Sequence, residues 1–227
     1  MDTVKLIAHT QAENDYESPP HELMAYCARV SNPSNQNNNQ TAEKLLNYCI
    51  KHKHWSVFEM ANVILEINTT RDIARQILRH RSFSFQEFSQ RYADPNELGY
   101  SVRESRLQDS KNRQNSIEVN DEELHRAWVL KQEQIMHECK LAYKWAIENG
   151  IAKEQARAVL PEGMVMSRMY MNGNLRSWIT YVALREGPET QKEHRLIAKE
   201  CKAILLSLYP FLETSLGGID VMWKDVV

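Results

Sequence analysis

Asn62-Val63-Ile64-Leu65-Glu66-Ile67-Asn68-Thr69-Thr70-Arg71-Asp72-Ile73-Ala74-Arg75-Gln76-Ile77-Leu78-Arg79-His80-Arg81 changes its hydrophobic period once, and that change sets the fold class. In the stretch from 57 to 67, Val63, Leu65 and Ile67 alternate with Asn62, Ile64 and Glu66, as in a strand with one well-buried face. Thr69 and Thr70 can cap a helix running to about Arg79, in which Ile73, Ala74, Ile77 and Leu78 share one side. Asp72, Arg75, Gln76 and Arg79 take the other side. Residues 83–92, Phe-Ser-Phe-Gln-Glu-Phe-Ser-Gln-Arg-Tyr, are aromatic-rich and expected to be extended.

Upstream, a short apolar run from Val4 to Ala8 precedes a helix opened by Pro19-Pro20 and carrying Leu23, Cys27 and Ala28. The Asn-rich stretch 31–40 reads as loop. Thr41 then caps a helix with Leu45, Leu46, Cys49 and Ile50 on its apolar face. Downstream, 93–120 is polar and reads as a long loop or lid. Asp121 caps a long helix to Asn149, striped by Leu124, Trp128, Ile135, Cys139, Ala142 and Ala146 and stopped at Gly150. A short helix from Ala152 to Leu160 ends before Pro161. Another runs from about Asn174 to Arg185, and the last starts at Pro188 with Ile197, Cys201, Ile204 and Leu208 inward. The expectation is an α+β protein, a small and mostly antiparallel sheet packed with several long helices, in a single domain over 1–227.

Composition narrows the function classes. The 227 residues carry 28 Lys and Arg against 30 Asp and Glu, a formal charge of −2, which removes the global electrostatic footprint of a nucleic-acid binder. At this length one core can bury roughly 70–75% of the unfolded chain's surface, so no staples are needed. Cys27, Cys49, Cys139 and Cys201 form no C-x-x-C pair, and their helical positions make them small core residues. No apolar h-region stands at the N-terminus and no run approaches a membrane span, so a cytoplasmic chain without membrane contact is expected.

The chemistry concentrates where the helix ends. Arg79-His80-Arg81 puts two permanent cations and an imidazole in one turn, and extended geometry puts Glu87, Ser89 and Arg91 on one side of the next segment. Arg forks bind phosphate bidentately, a Ser hydroxyl can donate to the same group, and a carboxylate can orient an Arg or hold a ribose hydroxyl. Two other readings compete. Arg79, Arg81 and Arg91 interleave with Phe83, Phe85, Phe88 and Tyr92 as in a single-strand stacking groove, and Cys49, His52 and His54 have a superficially metal-like spacing.

Arg79-His80-Arg81, seven residues, then Ser89 resembles the R-H-R-x7-S signature of the flavin-dependent thymidylate synthases. His54-Trp55-Ser56-Val57-Phe58-Glu59 resembles that family's His-x-Ser/Thr-x-Phe-Glu segment, and Glu154 to Pro161 its Glu-x-Ala-Arg-x-x-Leu-Pro element. Asn174-Leu175-Arg176-Ser177 with Leu184-Arg185 resembles the last block, continued by Gln191 and Glu193. The chain departs from the family at Met60, often a second His, at Gln90, often Gly, and at Thr180, usually Asn or His.

The resemblance implies C5 methylation of dUMP with methylenetetrahydrofolate as carbon source, FAD as redox carrier and NADPH as electron source, in a homotetramer whose sites draw on several subunits. It implies that Arg185 is the catalytic cation. It assigns the nucleotide to Gln76, Ile77, Leu78, Arg79, Glu87, Phe88, Ser89, Gln90, Arg91, Arg157 and Arg185. It assigns FAD to His54, Ser56, Arg79, His80, Arg81, Glu87, Asn174, Leu175, Arg176 and Thr180, and no metal is implied. Without G-x-G-x-x-G the flavin site is not of the Rossmann kind. Helical spacing further places Asn174, Trp178, Tyr181 and Arg185 along one face, where a flavin contact and the uracil contact can share a cavity.

Overall fold

The computed structural model describes residues 3–13 and 18–216. In chain order the elements are β1 (Val4–His9), α1 (Pro20–Ala28), α2 (Ala42–Lys51), β2 (Asn62–Thr70), α3 (Arg71–Ile77), β3 (Ser84–Glu87), β4 (Arg106–Gln108), β5 (Ser116–Glu118), α4 (Glu122–Glu148), α5 (Lys153–Ala156), β6 (Met166–Asn174), α6 (Leu175–Arg185), α7 (Lys192–Leu208) and α8 (Glu213–Leu216). Four strands lie in the order β1-β2-β6-β3, each neighbouring pair antiparallel, and β4-β5 form a separate hairpin. The fold class is therefore α+β, as expected. No helix among the described residues is long and apolar enough to cross a membrane.

The strand-to-helix switch lies where the period changes, with two adjustments. Residues 55–59 form a 3-10 turn, so β2 begins at Asn62 and not near Val57. Thr70 occupies the helix N-cap but its hydroxyl donates to Asp72 Oδ1 at 2.5 Å instead of capping a backbone N–H. The central partner of β2 is β6, which the helical reading of the C-terminal half missed. Their ladder runs from Asn62↔Asn174 to Thr70↔Met166. Val63, Leu65 and Ile67 from β2 and Met169 and Met171 from β6 are fully buried in one core with Ile73, Ile77, Trp178, Tyr181, Ile197 and Leu205. Gly173 is required there. A Cβ at that position would stand 2.4 Å from Cδ1 of Phe83, whose ring lies across β6.

Other departures follow from local packing. The aromatic segment is strand only over Ser84–Glu87, because after Phe88 N–H donates to Arg168 O the chain turns, Tyr92 N–H bonding Ser89 O. Phe83 and Phe85 pack on the core, so they are not free to stack nucleic-acid bases. The 93–120 segment contains the β4-β5 hairpin, and the last long helix starts at Lys192 with Gln191 as N-cap, not at Pro188. On α1 the buried positions are His21, Met24 and Ala25. On α4, Gln132, Met136, Tyr143 and Ala146 are buried, a face rotated from the expected stripe. That helix rests on the 156–165 segment by a narrow strip, leaving Leu124, Trp128, Ile135, Leu141 and Trp145 exposed.

Candidate active site

The turn that ends α3 delivers His80 against the end of α6. Arg185 Nε donates to His80 Nε2 at 2.9 Å, which requires a neutral imidazole with its hydrogen on Nδ1. Burial, together with the Arg185 charge, holds the His80 pKa down to about 4, so the acceptor persists at neutral pH. The ring is fixed edge-on by Tyr181, 5.0 Å away, and by Phe83 at 6.4 Å. No carboxylate pairs with Arg185 among the described residues, so a half-buried guanidinium keeps its charge uncompensated.

Behind this pair lies a polar run that the sequence did not reveal. Tyr181 OH stands 3.1 Å from His194 Nε2, His194 Nδ1 is 3.3 Å from Gln76 Oε1, and Gln76 Nε2 donates to Gln191 Oε1 at 2.8 Å. Gln191 Nε2 then donates to Glu193 Oε2 at 2.9 Å, and Glu193 is paired with Arg103 and Arg106 of the 93–120 segment. Arg103 also grips Asp72 at 2.9 Å. A cavity of about 630 Å³ opens beside these groups, lined in part by Asp72, Arg103, Arg106, Arg113, Trp128 and Gln191.

The second group of expected residues gathers round Glu154. Its carboxylate pairs with Arg91 at 3.3 Å and its carbonyl accepts from Arg157 Nε at 3.3 Å. Ser89 and Arg91 are exposed, Phe88 is half-buried, and Gln90 is buried with an Nε2 that has no hydrogen-bond partner among the described residues. Glu87 is held by Ser167 Oγ at 2.8 Å and by the buried Arg71 at 3.4 Å, two contributors that sequence reasoning missed. Neither Arg91 nor Arg157 makes a hydrogen bond or ion pair with Arg185 or His80 among the described residues. Ile77 is buried in the core and Leu78 is half-buried.

A third group surrounds the start of α6. Asn174 Oδ1 caps the helix by accepting from Ser177 N–H at 2.9 Å, and Leu175 is buried, its N–H donating to Ala61 O. Arg176 reaches Glu59 at 2.5 Å, tying the exposed His54 and Ser56 segment to the helix. Thr180 is exposed and its hydroxyl donates back to Arg176 O at 3.0 Å. Arg79 and Arg81 are exposed, without an ion pair among the described residues. This set of cations, amides and hydroxyls suits an anionic dinucleotide such as FAD. Trp178 and Tyr181 do not line a cavity with Asn174 as expected. Both are core residues, and Trp178 Nε1 donates to Val63 O at 3.1 Å.

The cysteines and the metal-like spacing are also placed. Cys49 and Cys201 are buried and burial raises their pKa, which suppresses the thiolate. His52 and His54 lie outside with Tyr48, the His52 and Tyr48 rings 4.1 Å apart, while Cys49 turns inward.

The family model described as "Thymidylate synthase complementing protein" matches residues 5–211. The chain is 47% identical over 217 residues to the "Probable flavin-dependent thymidylate synthase" of Paramecium bursaria Chlorella virus 1, covering 96% of this chain and 100% of the relative. It is 49% identical over 197 residues to the "Flavin-dependent thymidylate synthase" of a Synechocystis species, covering 87% and 89%. Among solved structures it is similar to PolB of Streptomyces cacaoi, a UMP/dUMP methylase bound with 5-Br dUMP. That likeness has a TM-score of 0.77 at 22% identity, covers 95% of this chain and 94% of the other, and speaks to the fold.

Proposed function

The chain belongs to the thymidylate synthase complementing proteins, the flavin-dependent thymidylate synthases, and on that premise we propose how its residues divide the methylation of dUMP to dTMP. The observation that carries the proposal is the Arg185–His80 pair, a half-buried cation anchored by its Nε with its outer nitrogens left for a ligand. Uracil C5 is a poor nucleophile. A guanidinium at the N3–O4 edge favours the N3-deprotonated or enolate form, raising electron density at C5 without a thiolate. Arg suits the task because it stays charged at any working pH.

The remaining residues bind and orient. Gln76, Arg79, Glu87 to Arg91 and Arg157 hold the phosphate and sugar of dUMP, with Ser89 a ligand and not a nucleophile, since no hydrogen bond joins its hydroxyl to a base among the described residues. Ile77, Leu78 and Leu175 contribute through their backbone or by shaping the walls. Arg79, Arg81 and Arg176, with His54, Ser56, His80, Glu87, Asn174 and Thr180, would hold FAD. When bound, FAD supplies the two-electron chemistry that takes the transferred carbon from methylene to methyl. Methylenetetrahydrofolate donates that carbon and NADPH the electrons.

The working form is a homotetramer of a single-domain chain, in the cytoplasm. Two observations support the assembly. The exposed apolar residues of α4 form a surface of the sort a monomer rarely leaves in water. The Arg91–Arg157 group also shares no hydrogen bond or ion pair with the Arg185–His80 pair among the described residues, as expected if a site combines groups from different copies.

Purified protein is expected to show an oxidised-flavin band and to form dTMP from dUMP, methylenetetrahydrofolate and NADPH. A chain that takes up no flavin after FAD addition would overturn the reading. Within it, Arg91→Ala or Arg157→Ala should weaken dUMP by about tenfold to a hundredfold, the loss of a charge-assisted hydrogen bond, while FAD stays bound. Calorimetric titration of the FAD-loaded variants checks this, and unchanged affinity in both removes them from the site.

A further inference from the structure

The polar run behind Arg185 has a fixed direction, because its ends decide every hydrogen in it. The Glu193 carboxylate, between Arg103 and Arg106, only accepts. Gln191 therefore turns Nε2 towards Glu193 and Oε1 towards Gln76, and Gln76 in turn donates from Nε2 and presents Oε1 to His194. An amide oxygen cannot donate, so the His194 hydrogen sits on Nδ1. The bare Nε2 then accepts from Tyr181 O–H. Every donor points towards the carboxylate, an arrangement in which each bond polarises the next. His194 is fully buried, and burial, with the Arg185 charge, holds its pKa down to about 3, so the ring stays neutral.

We propose that His194 is a positioning residue for the synthase reaction, holding the Gln76 carboxamide by its Oε1 while Gln191 holds the Nε2 end, so that the remaining N–H and lone pair of Gln76 face the nucleotide. The proposal rests on the nucleotide role of Gln76 given above. A carboxamide turned end for end has the same shape and opposite polarity, so only its partners decide its orientation. With Oε1 committed to His194 and one Nε2 hydrogen to Gln191, Gln76 has one N–H and one lone pair left for a ligand. Without His194 the Nε2 bond to Gln191 remains, but Oε1 loses the donor that holds the carboxamide plane, so a fraction of molecules offers dUMP a rotated Gln76.

The test uses FAD-loaded protein, dUMP titration by calorimetry and steady-state kinetics. His194→Leu should raise the Kd and KM for dUMP about tenfold. His194→Asn, whose Nδ2–H takes the place of Nδ1–H, should recover most of that loss. His194→Leu should add little to Gln76→Ala in the double variant, because it acts through that residue. If His194→Leu does not fold, His194→Asn is compared with His194→Gln, which reaches Tyr181 instead. Asn binding dUMP tighter than Gln is expected, and the reverse order would overturn the proposal. So would wild-type dUMP affinity in His194→Leu, or losses that multiply in the double variant, as a merely structural role would give. Wild-type protein that binds no dUMP, or Gln76→Ala that binds it normally, would instead overturn the underlying nucleotide reading and remove the basis of this one.

Discussion

Arg185→Lys should keep its flavin and reduce it with NADPH at a near-normal rate in the absence of nucleotide, yet form thymidylate about a hundredfold more slowly or worse. Lysine keeps the charge but has no Nε to rest on His80 and no planar fork to engage two atoms of the uracil edge. The loss should fall on single-turnover thymidylate formation, because in the role proposed for it the cation acts when charge develops on the ring and not when the flavin is reduced. Measuring both half-reactions in one variant separates the possibilities. Equal slowing of both would make Arg185 a flavin or structural residue, and slowing of neither would make it dispensable. A crystal structure of the variant with dUMP checks that selective loss does not come from a displaced nucleotide.

Trp178→Ala should destabilise the fold by about 3–5 kcal/mol, the range for emptying a large aromatic site in a core. Trp178 has no exposed surface, meets Phe83 edge-on at 4.8 Å and Tyr181 at 5.8 Å, and donates to Val63 O. Its removal leaves a cavity under the ring stack that supports His80, and an acceptor without its donor. Trp178→Phe keeps most of the packing and should cost about 1–3 kcal/mol, largely the stranded carbonyl. Denaturant unfolding of both variants tests this. A loss below about 1 kcal/mol in Trp178→Ala would show that the site collapses or was never well packed.

How much of this was legible depended on whether a residue's environment is local. The β2–α3 switch could be read because Val63, Leu65 and Ile67 alternate and Ile73, Ala74 and Ile77 recur at helical spacing, and all six are buried. The same alternation exists in β6, where Ser167, Met169, Met171 and Gly173 are buried between more exposed Arg168, Tyr170 and Asn172. It was hidden because Asn and Gly are weak strand formers and no β-branched residue stands on the buried face. The α4 stripe misled for a different reason. Periodicity says that a helix has an apolar face, but here one face meets this chain and another does not.

The site divides in the same way. Arg79, His80, Arg81 and Arg185 stood out as chemistry-bearing residues in matching blocks. His194 did not, since a lone His on an apolar helix reads as an ordinary core residue, and the partner that gives it a role, Gln76, lies more than a hundred residues away in sequence. Arg71 and Ser167 were silent too, because only the ladder that sets β6 beside β2 and β3 brings them to Glu87.

That ladder also governs how the chain reaches its native state. β2 ends at Thr70 and its partner begins at Met166, so the two middle strands of the sheet close a loop of roughly a hundred residues. Such non-local pairing places folding on the slow side of its size class, with β2 waiting for most of the chain. On the ribosome, at about 5–20 residues per second, β6 is made on the order of 5–20 seconds after β2. Through that interval Val63, Leu65 and Ile67 have no β6 to pair with, and β1 is the only sheet neighbour already synthesised before β2. Protein made at high temperature or high concentration should therefore be lost first as nascent chains aggregating through this strand, long before the finished enzyme melts.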